Sequence, residues 1–287
     1  MILRTLLDDA VRQLEAAGVE DARRNAEWIV EDVTGATRAE LYARPEAPVG
    51  PAEAALVLRY VARRAAGEPV QYVLGHAAFY GLELAVTPDV LIPRPETEVV
   101  VEEALRRVPP AGGRPPVVLD VGTGSGAVAL AIAHERPDAV VFAVDVSPDA
   151  LAVASANADR LGRTVTFVEA DALRPGFADE VPPTFDLIVS NPPYIPESEK
   201  AGLQREVRDH EPGGALFVSD ADPLVFYRVL AGHAERLLAP GGWLVAETHM
   251  DFGVAVRDVW DDAGLTQTAI LPDLAGRDRV AIGRQRA

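Results

Sequence analysis

Val117-Val118-Leu119-Asp120-Val121-Gly122-Thr123-Gly124-Ser125-Gly126 is the stretch on which the fold turns. A short apolar run enters a turn with three alternating glycines, and an Ala-rich segment over 126–136 follows with helical composition. A strand that is apolar at nearly every position has both faces covered, as in a parallel sheet flanked by helices. Glycines let the turn adopt positive φ and let its backbone approach a ligand closely. The helix start behind them offers free N–H groups.

Outward from this unit toward the C-terminus, β/α alternation continues. Strands are expected at 117–121, 140–145, 165–169, 185–190, 243–248, 266–271 and 279–283, and helices at 126–136, 148–161, 222–238 and 251–263. This pattern predicts an α/β fold, a doubly wound, mainly parallel sheet of seven strands.

Toward the N-terminus the periodicity changes. Leu3, Leu6, Leu7, Ala10, Val11 and Leu14 form a helical stripe. A second helix starts near Asp21, and a third near Pro51, a favoured first-turn residue. These helices predict a small bundle over 1–66. Residues 67–95 are punctuated by Gly67, Pro69, Gly75, Gly81, Pro88, Pro93 and Pro95. They read as a linker with short strands at Val70–Leu74 and Phe79–Val86, paired as a hairpin. A helix is expected over 96–108, then a proline-rich break over 109–116, within a domain spanning 96–287.

Composition narrows the function classes. The chain has 287 residues, 27 Lys+Arg against 44 Asp+Glu, a formal net charge of -17, and no cysteine. Disulfides, thiolate metal sites and cysteine nucleophiles are therefore excluded. No metal-ligand spacing is visible among the five scattered histidines. The apolar runs are far shorter than the roughly 20 residues of a membrane span, so a cytoplasmic protein without membrane contact is expected. An acidic total disfavours direct nucleic-acid binding.

Two further strand ends carry chemistry. Val140-Val141-Phe142-Ala143-Val144-Asp145 ends in a carboxylate about 20 residues past the glycine turn, where it can accept hydrogen bonds from a ribose diol. S-adenosylmethionine and a nicotinamide dinucleotide both carry that diol. The spacing G-x-G-x-G, rather than G-x-G-x-x-G, and the Asp120 ahead of it look like the first motif of class I S-adenosylmethionine methyltransferases. The third strand, Phe185-Asp186-Leu187-Ile188-Val189-Ser190, runs into Asn191-Pro192-Pro193-Tyr194. The prolines hold the loop extended. The Asn191 side-chain carbonyl and a nearby backbone carbonyl can then accept from both hydrogens of one substrate NH₂ group. That aims its weakly nucleophilic lone pair at a methyl donor. Tyr194 can pack on a planar amide or base. No side chain is marked as a strong base, and the amide proton is expected to leave late, to water.

The glycine turn with Asn191-Pro192-Pro193-Tyr194 resembles a nitrogen-directed methyltransferase. Gly67-Glu68-Pro69-Val70-Gln71-Tyr72-Val73-Leu74-Gly75, Ile92-Pro93-Arg94-Pro95-Glu96-Thr97-Glu98, Glu211-Pro212-Gly213-Gly214-Ala215-Leu216 and Ala275-Gly276-Arg277-Asp278-Arg279-Val280 narrow the resemblance. They are similar to the PrmC/HemK family, protein-(glutamine-N5) methyltransferases acting on peptide-chain release factors. The resemblance spans nearly the whole chain. It implies a Rossmann-like class I methyltransferase sheet with an N-terminal substrate-recognition bundle. It implies S-adenosylmethionine as methyl donor, no metal, a monomer, and class 1 release factors as protein partners, methylated at the glutamine of a Gly-Gly-Gln motif.

Position by position, the resemblance implies that Gly122, Thr123, Gly124, Ser125 and Gly126 contact the methionine part of the donor, Asp145 the ribose, and Asp171 and Ala172 the adenine. Asn191 would bind the substrate amide beside the donor methyl, and so also belongs to the cofactor-binding set. Asn191, Pro192, Pro193 and Tyr194 would form the glutamine pocket, with Asn191, Pro192 and Tyr194 as the catalytic set. Arg94 and Glu96 to Glu98 would line or brace it. Phe217-Val218-Ser219-Asp220 and Thr248-His249-Met250-Asp251-Phe252 depart from the family pattern. The competing readings are a ribosomal-protein glutamine methyltransferase, a DNA or rRNA amino methyltransferase, a dehydrogenase, and a silent binding module.

Overall fold

The computed structural model describes every residue except Ala111, Pro183 and Ala287, so Ala111 of the expected break over 109–116 lies outside the described residues. The chain divides into two units, Met1–His76 with Gln204–His210, and Ala77–Leu203 with Glu211–Ala287.

The first unit is helical: α1 (Leu3–Ala16), α2 (Ala22–Thr34), α3 (Arg38–Ala43), α4 (Pro51–Ala65) and α5 (Val70–Leu74). The stripe expected on α1 is buried at all six positions. It packs with Ala26, Ile29 and Val30 of α2 and Val57 and Val61 of α4. Thr37 caps α3 in a box with Glu40, satisfying N–H groups the first turn leaves open. Pro51 is the first residue of α4. The segment Val70–Leu74, expected as a strand, is instead a turn of helix. Pro69 O accepts from Val73 N at 3.0 Å, and Gly75 closes it with φ 84° and a 2.7 Å bond from its N–H to Gln71 O. A five-residue apolar run fits either period, and burial of Val70, Tyr72 and Val73 selects the helix.

A hairpin follows, β1 (His76–Phe79) and β2 (Leu82–Ala85), all of it but His76 in the second unit. Tyr80 and Gly81 both have positive φ, 49° and 73°, as a tight two-residue hairpin requires. The stretch 67–95 is thus not a separate linker. Its first ten residues belong to the helical unit and its remainder to the sheet unit.

After α6 (Thr97–Leu105) come β3 (Val117–Val121), α7 (Ala127–Glu135), β4 (Val140–Asp145), α8 (Pro148–Leu161), β5 (Thr166–Glu169) and β6 (Phe185–Ser190). Two short strands, β7 (Ile195–Pro196) and β8 (Phe217–Val218), flank α9 (Arg205–His210), and α10 (Val225–Leu237), β9 (Leu238–Glu247), α11 (Gly253–Asp262), β10 (Thr266–Pro272) and β11 (Asp278–Arg284) complete the chain. The sheet has seven strands in the order β10-β11-β9-β6-β3-β4-β5. The five from β9 to β5 are parallel, and β11 and β10 add antiparallel. Each face carries its own core. One includes Leu130, Leu187 and Val245, and the other Leu119, Ile188 and Trp260. Strand β9 begins at Leu238, five residues before its expected start. Ala239-Pro240-Gly241-Gly242 reads as a turn, yet it stays in the strand through a register shift against β6. Among the described residues no helix is long and apolar enough to cross a membrane.

Candidate active site

The C-terminal ends of β3, β4 and β6 converge on a cavity of about 470 Å³, within the range of small-molecule sites. In an open parallel sheet the crevice beyond the strand ends is the expected ligand position.

The glycine turn is held from β4. Gly122 N and Thr123 N both donate to Val144 O, at 2.9 and 3.0 Å, and Gly124 N donates to Asp145 Oδ2 at 2.9 Å. Gly122, Gly124 and Gly126 all have positive φ. Ser190 Oγ at the end of β6 donates to Val121 O at 2.7 Å, tying the loop after β6 to the turn after β3. Asn157, fully buried on α8, adds a third tie. Its Nδ2 donates to Ser125 O at 2.9 Å and to Ala85 O at 3.0 Å, while its Oδ1 accepts from Ala85 N at 2.7 Å.

Gly122, Thr123, Gly124, Ser125, Asp145, Asp171, Ala172, Asn191, Pro192 and Pro193 all line the cavity. Gly126 does not. It is the N-cap of α7, where a Cβ would crowd Leu130 and Ala154. Asp145 Oδ1 also accepts from Ser147 N at 3.0 Å. Its carboxylate orientation is therefore fixed, with lone pairs remaining on both oxygens. Asp171 accepts from Leu173 N at 2.9 Å. Ala172 O accepts from His233 Nε2 at 2.8 Å, and burial pushes that imidazole's pKa down.

Asp120 lies beneath the turn, bonded through Oδ2 to Thr123 Oγ1 at 2.7 Å and Ala129 N at 3.2 Å. Burial pushes its carboxyl up to about 7, against those two donors, and the nearby Asp145 charge adds to the rise.

Asn191 lines the same cavity. Its Nδ2 donates to Thr97 Oγ1 at 3.1 Å, and Thr97 Oγ1 donates to Glu247 Oε2 at 2.7 Å. Tyr194 is not on the cavity lining. Its hydroxyl donates to Glu247 Oε1 at 2.9 Å, and its ring meets His249 edge-on. Burial pushes the Glu247 carboxyl above its usual range, although Thr97, Tyr194 and Arg279 pull it down. Arg94 lines the cavity and pairs with buried Glu211, which also accepts from Ile92 N at 3.3 Å. Glu98 faces elsewhere, accepting from Tyr80 N at 2.8 Å.

Sequence reasoning missed Glu247, Val146, Leu173 and Asn157. Val146 and Leu173 are apolar, 63% and 44% exposed, and line the cavity beside Asp145 and Asp171. The available signal was an apolar residue one or two positions after an acidic residue at or just past a strand end. Glu247 offered only its place at a strand terminus.

Known proteins agree with this architecture. The PrmC N-terminal domain matches residues 5–75, and a methyltransferase domain matches residues 118–214. A release factor glutamine methyltransferase of Geobacter sulfurreducens is 44% identical over 282 residues, 98% of this chain and 96% of that protein. One from Moorella thermoacetica is 44% identical over 289 residues, covering 100% and 99%. The chain belongs to the release factor glutamine methyltransferases. In fold it also resembles a methyltransferase from Pyrococcus furiosus, with a TM-score of 0.51 at 18% identity over 81% of this chain and 98% of that one.

As a release factor glutamine methyltransferase, the chain uses its motif segments in distinct ways. Ile92–Glu98 and Glu211–Leu216 are joined through Glu211 at the cavity, where Pro212, Gly214 and Ala215 also line the wall. Arg279 of the C-terminal motif stands 3.7 Å from Glu247 Oε1. The motif at 67–75 braces the helical unit instead. Glu68 accepts from Arg63 Nε at 2.8 Å, and Arg63 also reaches Val73 O and Tyr72 O, each at 3.2 Å.

Proposed function

We propose that this enzyme moves a methyl group from S-adenosylmethionine to the side-chain N5 of the glutamine in the Gly-Gly-Gln motif of class 1 release factors. One observation carries the reading: the glycine turn, the Asp145 carboxylate and Asn191 line a single cavity. Gly122 to Ser125 suit the amino-acid end of the donor, Asp145 its ribose diol, and Val146, Asp171, Ala172 and Leu173 its adenine. The fit is supported by the positive-φ turn, which leaves open space where side chains would stand at Gly122 and Gly124. When bound, S-adenosylmethionine supplies an electrophilic methyl on sulfur.

The chain's own residues then bind and orient. Asn191 Oδ1 and a backbone carbonyl of the 191–194 loop accept from the two amide hydrogens, turning the nitrogen lone pair toward the methyl. This raises the fraction of encounters in attack geometry and stabilises positive charge growing on nitrogen. The N–C bond forms as the S–C bond breaks, and the amide proton leaves late, to water. The helical unit at the N-terminus recognises the release factor, and the protein works as a cytoplasmic monomer without metal or nucleic acid. The acidic total of -17 supports a protein acceptor over a base.

The test supplies labelled S-adenosylmethionine with release factor, ribosomal protein, tRNA or DNA in separate reactions, and locates the label by mass. Label on the Gly-Gly-Gln glutamine is expected. Label confined to the ribosomal protein or to nucleic acid overturns the reading.

A further inference from the structure

Glu247, Thr97 and Asn191 form a chain of two hydrogen bonds, 2.7 and 3.1 Å long. The sheet sets it up. Strand β6 pairs with β9 in parallel, with Ser190 opposite Ala246. The next residues are Asn191, the first beyond β6, and Glu247, the last of β9, so the two stand side by side at the ends of the paired strands. Thr97 in the first turn of α6 fills the space between them, 3% exposed, and Glu247 is 1% exposed.

The polarity of this chain follows from proton counting. Two hydroxyls converge on Glu247, Thr97 on Oε2 and Tyr194 on Oε1, and the Arg279 guanidinium lies 3.7 Å from Oε1. These three groups favour the ionised, accepting carboxylate and work against the burial that pushes it up. A hydroxyl has one proton. Once Thr97 has given its proton to Glu247, Oγ1 offers only lone pairs to Asn191. The Asn191 atom facing Thr97 is then Nδ2, and Oδ1 is left for the cavity. The opposite amide rotamer would set oxygen against oxygen at Thr97 and turn N–H toward an incoming NH₂ group.

We infer that Thr97 and Glu247 are positioning residues that fix which end of the Asn191 amide meets the methyl acceptor. The inference rests on the proposed role of Asn191 as acceptor of the substrate amide hydrogens. One carboxylate holds both sides of the loop, Asn191 through Thr97 and Tyr194 directly. Neither Thr97 nor Glu247 touches the reacting atoms in this scheme.

The test compares Thr97→Val, which keeps the shape and removes the hydroxyl, with Thr97→Ser, which keeps the hydroxyl. In the full-length enzyme Thr97→Val is expected to lower kcat for release-factor methylation about 10- to 100-fold, the scale of a misplaced reacting group. The dissociation constant for S-adenosylmethionine should stay within about twofold of the parent. Thr97→Ser is expected to restore most of kcat. Near-parental kcat in Thr97→Val overturns the inference, as does a Thr97→Ser enzyme that falls equally far.

A second readout does not depend on activity. In protein labelled with ¹⁵N at asparagine, the Asn191 side-chain amide signal is identified by its loss in Asn191→Ala. Slow solvent exchange of one Nδ2 proton in the parent, accelerated at least about tenfold in Thr97→Val, supports the stated polarity. Free-amide exchange in the parent overturns it. If the parent protein methylates no release factor, the proposed function fails, while this measurement still decides the inference.

Discussion

On the wall of the cavity proposed to hold the methyl donor, the glycine turn is fixed through its own backbone N–H groups. Gly122, Thr123 and Gly124 hang from Val144 and Asp145, only some twenty residues along the chain. On the acceptor wall the bonded groups are side chains, and the hydrogen bonds run between residues 94 and 150 positions apart. The first wall is a product of one βα turn and its neighbouring strand. The second exists only after β6 and β9 have paired and the start of α6 has docked on both. Changes to the donor wall should therefore move stability and donor binding together, whereas changes to the acceptor wall should move turnover alone.

Asn191→Ala is the sharpest way to break that contrast. Loss of one transition-state acceptor is worth about 10²–10³-fold in rate, and the dissociation constant for S-adenosylmethionine should change by no more than about threefold. Single-turnover methylation and calorimetric titration read the two effects separately. Weakened donor binding matching the fall in rate would mean that the two walls are not independent.

Gly126→Ala attacks the support behind the donor wall, at the N-cap of α7. Gly126 has φ 83°, and a Cβ there would stand 3.0 Å from Leu130 Cδ1 and 3.2 Å from Ala154 Cβ. Left-handed strain and overpacking together should cost about 2–4 kcal/mol of stability. Thermal unfolding should show a lower Tm, accompanied by weaker donor binding. An unchanged Tm would show that the turn relaxes freely. Asn157→Ala is expected to cost somewhat less, about 2 kcal/mol, because it strips partners from Ser125 O and from both backbone groups of Ala85. Denaturant unfolding checks it. The double variant with Gly126→Ala should be non-additive, since both act on one turn.

The same division explains what the sequence made legible. Strand β3, its glycine turn and α7 were readable because every cue is local: an apolar run buried on both faces, alternating glycines, then an Ala-rich helix. Asp145 and Asn191 were readable because each closes such a run. Glu247 was not, because a carboxylate at the end of an apolar strand ordinarily meets water. Its burial depends on Thr97 and Tyr194 arriving from elsewhere. The start of β9 was hidden by Pro240-Gly241-Gly242, which fits a turn until pairing with β6 holds it straight. Val70–Leu74 misled for the opposite reason: five apolar residues carry too little periodicity to separate helix from strand.

The smallest expected effect concerns Asp120, which lies on the donor wall with its carboxyl pushed up to about 7 by burial. A cationic methyl donor favours the ionised form, so affinity should rise as pH passes upward through 7 and level off near 8. If only the ionised form binds well, the gain from pH 6 to pH 8 is at most about tenfold. The sign for stability is the reverse. The folded apo protein holds this proton more tightly than the unfolded chain does, so the Asp120 contribution falls as pH rises from about 4 to 7 and is flat above. Asp120→Asn keeps an oxygen for Thr123 and Ala129 but cannot ionise. It should remove this share of the pH dependence of donor binding and raise the apo Tm at pH 8. Titrations of both proteins at pH 6, 7 and 8 decide the matter. Parallel affinity profiles would mean that Asp120 stays in one protonation state when the donor binds, and that the donor wall senses charge only through Asp145.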